Sequence, residues 1–258
     1  MNKKSLPIVE ADNITKIYGQ KGEKSYSALK GVSFKVQPGE FIGIMGASGS
    51  GKTTLLNILT TLDQPTGGSV KINGKDITKL KGNDIADFRA KKIGFIFQDF
   101  NLLENLTNSE NIALPLALQN VNKKQIQPRI QRLAEQLSIT GIMNNYPNEI
   151  SGGQKQRVAA ARALISEPTM IFGDEPTGAL DSSSTIDLLE MMITINQQQN
   201  VPILMVTHDP LSASYCQRIL FIQDGKIGQE LKSNGKTRKQ FYQEILDDLG
   251  AFQSQGEK

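Results

Sequence analysis

The amino-acid sequence predicts an α/β fold in which a mixed sheet, covered by helices on both faces, carries an antiparallel β subdomain and an inserted helical subdomain. Short, almost wholly apolar runs at 41–45, 93–97, 169–173 and 202–207 alternate with segments of helical composition. Such runs are typical of strands buried in a parallel sheet. Alternating strand patterns and turn residues fill the first third of the chain, and a helical pattern dominates residues 99–166.

The strands of the first third are predicted to pair antiparallel. Val32, Phe34 and Val36 alternate with polar residues, as in a half-buried strand. Asn73-Gly74 lies between two further strand-like runs and is typical of a two-residue hairpin turn.

The central segment predicts a helix whose apolar face recurs every three or four residues. That face comprises Ile126, Ile130, Leu133 and Leu137. Because Pro128 is best placed in a first helical turn, the helix is expected to begin near Gln127.

A second amphipathic helix is predicted near the C-terminus, with Phe241, Ile245 and Leu249 on its apolar face. The predicted organisation is therefore a core of residues 1–98 and 167–250, a helical subdomain of residues 99–166 and a polar tail of residues 251–258.

Composition excludes several classes of protein. The 258 residues, 38% of them hydrophobic, suffice for a large buried core, and no apolar run approaches the roughly 18 residues of a membrane span. The N-terminal residues lack the apolar segment of a secretory signal, which predicts a cytoplasmic protein. A net charge of +3 without a dense basic stripe predicts no nucleic-acid partner. The single cysteine, Cys216, is interpreted as a packing residue.

The sequence "GASGSGKT" at 46–53 matches the phosphate-binding pattern G-x-x-x-x-G-K-[ST] and lies between a strand and a helix. Glycines let backbone N–H groups approach a phosphate, and the following helix N-terminus favours negative charge. Lys52 is expected to reach the β and γ phosphates and Thr53 to coordinate Mg²⁺. The predicted nucleotide-binding residues of this segment are Gly46, Ala47, Ser48, Gly49, Ser50, Gly51, Lys52, Thr53 and Thr54.

The sequence "MIFGDEP" at 170–176 ends a buried strand in two carboxylates. Carboxyl ends of strands in an α/β sheet face the ligand crevice, so both acids are expected near the phosphates. Asp174 is predicted to serve Mg²⁺, and Glu175 to act as the general base for the attacking water. A capping or turn role is the alternative for these acids.

The sequence "ISGGQKQR" at 150–157 adds a further signal. Ser151 and Gln154 form the pattern of a capping box, which leaves Gly152 and Gly153 unexplained. Two glycines in a first helical turn are unfavourable, but they let an anion approach the exposed N–H groups. We therefore interpret this helix N-terminus as a second phosphate-binding candidate.

Together these motifs identify the chain as resembling the ATP-binding subunits of ABC transporters over nearly its whole length. "GASGSGKT" resembles Walker A, "MIFGDEP" Walker B, and "ISGGQ" the signature motif with isoleucine in place of the usual leucine. The resemblance implies ATP and Mg²⁺ as cofactors, a Q-loop glutamine at Gln98 that senses Mg²⁺, and a D-loop aspartate at Asp181. It also implies adenine stacking on Tyr18. Gly173 stands where the family more often has alanine or a larger apolar residue, which predicts looser strand packing there.

His208, the only histidine of the chain, matches the family's switch histidine, which hydrogen-bonds the γ-phosphate from a strand end. The local sequence agrees, because Asp209-Pro210 resembles an N-cap and a first-turn proline directly after a buried strand. The resemblance thus implies Glu175, His208 and Lys52 as the catalytic residues.

In this family two subunits face head to tail, so the phosphates of one P-loop meet Ser151 and Gly153 of the other. The resemblance therefore implies an ATP-dependent homodimer bound to a separate membrane permease, at the cytoplasmic face of the membrane. Three classes compete for the purpose of the ATPase: a transporter subunit, a soluble ABC machine of DNA repair or translation, and an unrelated P-loop kinase of small molecules. The last leaves "ISGGQ" unexplained, and the second lacks its usual second cassette or long coiled coil.

Within the transporters, "GFIFQDFNLLENLTNSENIALPL" and "THDPLSASYCQRILFIQDGKI" resemble the branch that serves lipoprotein release, macrolide efflux and resistance to bacitracin-like peptides. The ending "LDDLGAF" is most similar to the bacitracin-type subunits. Peptide-antibiotic resistance is the resulting prediction, and export of a lipoprotein or another amphipathic substrate is the alternative.

Overall fold

The structure, a computed structural model, describes residues 6–19 and 25–255. Its strands are β1 (Val9–Tyr18), β2 (Tyr26–Val36), β3 (Phe41–Met45), β4 (Gly67–Ile72), β5 (Lys75–Asp76), β6 (Ile93–Phe97), β7 (Met170–Asp174), β8 (Ile203–Val206), β9 (Arg218–Gln223) and β10 (Lys226–Lys232). Its helices are α1 (Lys52–Leu59), α2 (Asn83–Lys92), α3 (Asn108–Leu118), α4 (Lys123–Gln136), α5 (Gly152–Leu164), α6 (Ser182–Gln199), α7 (Pro210–Ala213) and α8 (Arg238–Gln255).

Two sheets form the fold. The six-stranded sheet has the order β10-β9-β3-β8-β7-β6, with parallel pairing from β9 to β6 and an antiparallel edge strand β10. The second sheet is antiparallel and has the order β2-β1-β4-β5. This arrangement confirms the predicted α/β class with a mixed sheet and an antiparallel β subdomain. Because β3, β7 and β8 are parallel neighbours, their carboxyl ends meet at one edge of the sheet.

The core lies on both faces of the large sheet. One apolar cluster joins that sheet to α1 and the antiparallel sheet, and the other joins it to helices α3 to α8. The predicted apolar face of α4 is buried, as are Phe241 and Ile245 of α8. The hairpin at Asn73-Gly74 is also confirmed, since both residues have positive φ and Ile72 pairs with Lys75.

The predicted start of α4 is wrong. The helix begins four residues earlier than Gln127, at Lys123, and Pro128 lies inside it. Asn122 explains the difference, because its side chain accepts a hydrogen bond from the N–H of Lys124 and so caps the helix earlier than the proline suggests. The proline is tolerated because it removes only one hydrogen bond near the beginning of the helix.

The C-terminal helix α8 extends to Gln255 and so includes the first five residues of the predicted polar tail, 251–258, whose last three residues lie outside the described part of the chain. Helices α3, α4 and α5 fall in the range predicted for the helical subdomain. Among the described residues, no helix has both the length and the apolar character needed to cross a membrane.

Two small-residue positions show how tightly the sheet packs. A Cβ at Gly43 would lie 3.1 Å from Sγ of the buried Cys216, and burial raises the pKa of that thiol. Both observations fit the interpretation of Cys216 as a packing residue. At Gly173 the space is closed by the ring of Pro176, whose Cγ would lie 3.2 Å from a Cβ. The loosened packing expected at this glycine is therefore not found.

Candidate active site

The phosphate-binding loop follows the central strand β3 and opens helix α1. Its shape depends on glycine: Gly46 has φ 154°, and a Cβ there would lie 2.2 Å from the carbonyl oxygen of Ile222. Gly51 precedes α1 with φ 108° and provides no side-chain cap, so the first N–H groups of the helix stay open to an anion. The Lys52 ammonium donates to the carbonyls of Gly46 and Ala47, at 2.7 and 2.9 Å, and so lies across the loop.

A cavity of about 1020 Å³ lies over this loop. Its walls include the carboxyl ends of β3, β7, β8 and β9, as the predicted position of the ligand crevice requires. The predicted site residues that line it are Gly46, Ala47, Ser48, Gly49, Gly51, Lys52, Thr53, Thr54, Asp174, Glu175 and His208. Ser50, also predicted, is buried beneath the loop, and its hydroxyl lacks a hydrogen-bond partner among the described residues.

The charged groups of the cavity perturb one another. Burial raises the pKa of Asp174, and the neighbouring Glu175 charge raises it further, with Lys52 acting in the opposite direction. Burial lowers the pKa of Lys52, and the charges of Glu175 and Asp174 offset part of that effect. Two carboxylates thus lie close enough to repel each other in a partly buried site.

Glu175 and His208 are directly connected. Nδ1 of His208 lies 2.9 Å from Oε1 of Glu175, and the backbone N–H of His208 donates to Oε2 at 3.3 Å. Glu175 has φ 47°, an unfavourable conformation for a side chain of this size, and its N–H is held by the carbonyl of Val206. The imidazole itself is three-quarters exposed at 75%, so it is free to meet a ligand in the cavity.

A divalent cation fits the groups present. The Thr53 hydroxyl and the Asp174 carboxylate are hard oxygen ligands that line the same cavity. The repulsion between Asp174 and Glu175, which helps to raise the pKa of Asp174, is the kind of strain that a bound cation relieves.

The tyrosine predicted to stack on adenine lies beside the cavity rather than in its lining. The Tyr18 hydroxyl donates to Asp63 at 2.8 Å, and the Lys16 ammonium lies 4.8 Å from the centre of its ring. Burial raises the pKa of Tyr18. Tyr26, which pairs with Tyr18 across β1 and β2, lines the cavity instead, and its hydroxyl donates to the Gly49 carbonyl at 3.0 Å. Sequence reasoning missed Tyr26 because no motif contains it.

Gln98 lies at the end of β6 but outside the cavity lining. Its side chain packs against Gly178, where a Cβ would lie 3.0 Å from Cδ of the glutamine. The exposed Gln98 side chain therefore lies against the segment that follows the two acids.

The signature and D-loop residues likewise lie outside the cavity lining. Ser151 and Gln154 form the predicted capping box at the N-terminus of α5, which also carries Gly152 and Gly153. Asp181 caps α6, and its hydrogen bonds to the backbone and side chains of Ser184 and Ser183 hold its pKa well below the usual range. Within the described residues of one chain, no signature residue lines the cavity over the phosphate-binding loop.

These features together define a P-loop ATPase: one cavity is lined by a glycine loop at a helix N-terminus, by strand-end carboxylates and by an imidazole. More narrowly, the chain belongs to the ABC transporter family, whose family model matches residues 29–178. This confirms the family inferred from the motifs.

Relatives match nearly the whole chain. It is 50% identical over 247 residues to the bacitracin export ATP-binding protein BceA of Halalkalibacterium halodurans, covering 96% of this chain and 97% of that protein. It is 42% identical to the macrolide export ATP-binding/permease protein MacB of Syntrophobacter fumaroxidans, covering 87% of this chain and 32% of that longer protein. A dimeric post-hydrolysis structure of the ATP-binding cassette MJ0796 with ADP and Pi is 38% identical, with a TM-score of 0.78 over 87% of this chain and 98% of that chain.

Proposed function

We propose that this chain is the ATP-hydrolysing subunit of an exporter that confers resistance to bacitracin-like peptide antibiotics. The observation that carries the proposal is the 50% identity to a bacitracin export ATP-binding protein over almost the full length of both chains. The chain works at the cytoplasmic face of the membrane, where it drives a separate permease. That permease supplies the membrane spans, since the described residues contain no spanning helix.

In the proposed reaction, the loop and the N-terminus of α1 bind the ATP phosphates through backbone N–H groups. Lys52 turns from the loop carbonyls, which it now contacts, toward the β and γ phosphates. Thr53 and Asp174 would hold Mg²⁺, which would neutralise charge on the phosphate oxygens. Tyr18 lies beside the loop, next to Thr54, at the margin where the adenine is expected.

Glu175 orients the attacking water and accepts its proton. Its carboxylate borders the cavity and is held by the backbone and the ring of His208. The imidazole keeps Glu175 in position and contacts the γ-phosphate through its free nitrogen. Gln98, against Gly178, responds to the occupied site and reports it to the helical region.

Two copies are needed to complete each site. Gly152 and Gly153 carry open N–H groups at the start of α5, whereas the N–H groups of Ser151 and Gln154 are engaged in the capping box. None of these four signature residues lines the loop's cavity within one chain. We infer that they bind the γ-phosphate held by the other copy, in a head-to-tail dimer with Asp181 at the interface. The MJ0796 cassette, which this chain resembles in fold, is dimeric in the structure with ADP and Pi.

The experiment that tests this function is a resistance assay in the native host. The gene for this chain is deleted and replaced by the wild type, by Glu175→Gln, or by the surface variant Glu190→Gln, which alters only an exposed pair with Arg238. We expect deletion and Glu175→Gln to lower the bacitracin concentration that stops growth, and Glu190→Gln to restore it. Unchanged resistance after deletion would contradict the proposed substrate class.

A second candidate is export of another amphipathic substrate, such as a lipoprotein or a macrolide. The observation that favours it is the 42% identity to MacB, a macrolide export protein. Affinity capture from gently solubilised membranes distinguishes the candidates by the permease recovered. A permease with a large extracytoplasmic domain supports peptide resistance, whereas recovery of ribosomes or DNA-repair proteins would contradict both.

A further inference from the structure

The segment between β6 and the helical region is held by the signature helix α5. Arg162, two turns or more beyond the signature residues, donates from Nη2 to the carbonyl of Phe100 at 2.8 Å and from Nη1 to the carbonyl of Asn101. This guanidinium is largely buried, which lowers the pKa of Arg162, and it faces two backbone carbonyls rather than an acid. Its position is therefore set by the backbone of residues 97–101, called here the Q-segment.

The Q-segment adopts a conformation that it would not keep alone. Phe100 and Asn101 are consecutive and both left-handed, with φ 60° and 49°. A bulky aromatic residue in this region is unfavourable, and such conformations persist only where surrounding contacts determine them. The two hydrogen bonds from Arg162 are made to the carbonyls of these same two residues.

A second residue of α5 holds the other end of the Q-segment. Gln156 is fully buried, and its Nε2 donates to the carbonyls of Phe97 at 3.1 Å and Pro176 at 2.5 Å. Its Oε1 lacks a partner among the described residues, so Gln156 holds these two carbonyls through its amide N–H groups alone. Because Pro176 follows the acids Asp174 and Glu175, Gln156 joins the signature helix, the Q-segment and the Walker B turn at one point.

Gln98 lies between these two attachment points. Its side chain packs on Gly178, and the ring of Phe100 packs near the start of α5, where a Cβ at Gly152 would lie 3.8 Å from Cζ. A shift of α5 would thus displace both ends of the segment that carries Gln98.

We propose that Arg162 and Gln156 are positioning residues that couple the signature end of α5 to the placement of Gln98. This inference rests on the proposed function, in which the partner's ATP contacts Ser151. When the γ-phosphate of the partner's ATP binds at Ser151, helix α5 moves. The side chains of Arg162 and Gln156 then carry this movement to the Q-segment and the Walker B turn. Signature contact with one nucleotide is thereby transmitted to the site of its own chain.

Hydrogen exchange of the full chain tests the coupling without depending on turnover. Arg162→Lys keeps the charge but reaches one carbonyl at most, and Gln156→Met keeps the volume without the donors. The matched control is Arg157→Lys, on the same helix, since Arg157 donates to the carbonyl of Leu137 rather than to the Q-segment. Exchange is measured on nucleotide-free protein, with calorimetric titration of ATP alongside.

In Arg162→Lys and Gln156→Met we expect the amides of 98–103 to exchange about tenfold faster, as loss of a charge-assisted or buried hydrogen bond implies, while α5 stays protected. The ATP dissociation constant of both variants should stay within about twofold of wild type, because the phosphate-binding loop lies outside the Q-segment and α5. Their kcat for ATP hydrolysis should fall about tenfold. The control Arg157→Lys should match wild type in amide exchange, in the ATP dissociation constant and in kcat.

Unchanged exchange of 98–103 would overturn the proposal. Equal loss of protection throughout α5 and β7 would also overturn it, because the residues would then act on the fold alone. Absence of ATP hydrolysis by the wild-type chain, with the expected exchange pattern intact, would instead contradict the proposed function.

Discussion

Glu175→Gln separates the chemical role of this carboxylate from its structural role. The amide has nearly the same size, and one of its two polar atoms still accepts a hydrogen bond from His208. In the wild type both carboxylate oxygens face His208, at 2.9 and 3.3 Å. The substitution therefore weakens one contact to the exposed ring of His208, worth about 1 kcal/mol or less, but it also removes the repulsion from Asp174.

These two effects oppose each other, so the free energy of unfolding should change by about 1 kcal/mol or less, a shift of roughly 2–4 °C in Tm. Turnover should fall about 10²- to 10⁴-fold, because the amide cannot accept the water's proton. That loss corresponds to about 2.7–5.5 kcal/mol in the barrier, which exceeds any effect on folding. ATP affinity should stay within about threefold, since the phosphates are bound by the loop.

The assay combines phosphate release, ATP titration and thermal unfolding of the purified chain. Glu190→Gln is the control, because it makes the same chemical change in an exposed pair with Arg238. Turnover of Glu175→Gln within tenfold of wild type would refute Glu175 as the general base. A loss in the free energy of unfolding as large as the rise in the reaction barrier would refute the claim that its chemical and structural roles are separate.

Three further outcomes follow from the same geometry. His208→Ala should lower turnover about 10²-fold, as measured by phosphate release. Its free energy of unfolding should change by less than about 0.5 kcal/mol in thermal unfolding, because the ring is exposed and the contact from the backbone N–H of residue 208 remains. Tyr26→Phe removes the hydroxyl that restrains Gly49 and should raise the ATP dissociation constant about two- to fivefold in calorimetric titration. Asp174→Asn should abolish turnover yet stabilise the nucleotide-free chain by about 0.5–1 kcal/mol at neutral pH. The folded-state pKa of Asp174 is raised, so the ionised carboxylate destabilises the wild-type fold above that pKa. The greater stability of Asp174→Asn should therefore vanish as the pH falls below the ordinary carboxyl range, where the wild-type carboxyl is protonated in both states. Equal unfolding temperatures of the two proteins at neutral pH would contradict it.

The sheet and the loop were predictable because their signals are local. Buried parallel strands need continuous apolar runs, and a phosphate loop needs glycines at fixed spacing, so β3, β6 and the start of α1 follow from the sequence. The ring of His208 could also be placed, because strand ends in such a sheet face the crevice.

Contacts between distant segments were not predictable. The hydrogen bond from Tyr26 to Gly49 joins the first residue of β2 to the phosphate-binding loop, and no motif contains Tyr26. Arg162 resembles any cation on a helix until its two carbonyl partners, some sixty positions earlier, are known. The start of α4 was missed although its signal is local, because the cap at Asn122 outweighed the preference of Pro128 for a first turn.

Subunit complementation tests most directly the central claim that each ATP is hydrolysed between two copies. Lys52→Ala inactivates the loop, and Ser151→Asp keeps an N-cap acceptor on α5 while repelling a phosphate. Each protein alone should be inactive. Mixed in equal amounts with Mg-ATP, they should regain about a quarter of the wild-type rate, since half of the random dimers are mixed and each has one intact site of two. A mixture as inactive as its components would contradict the shared site.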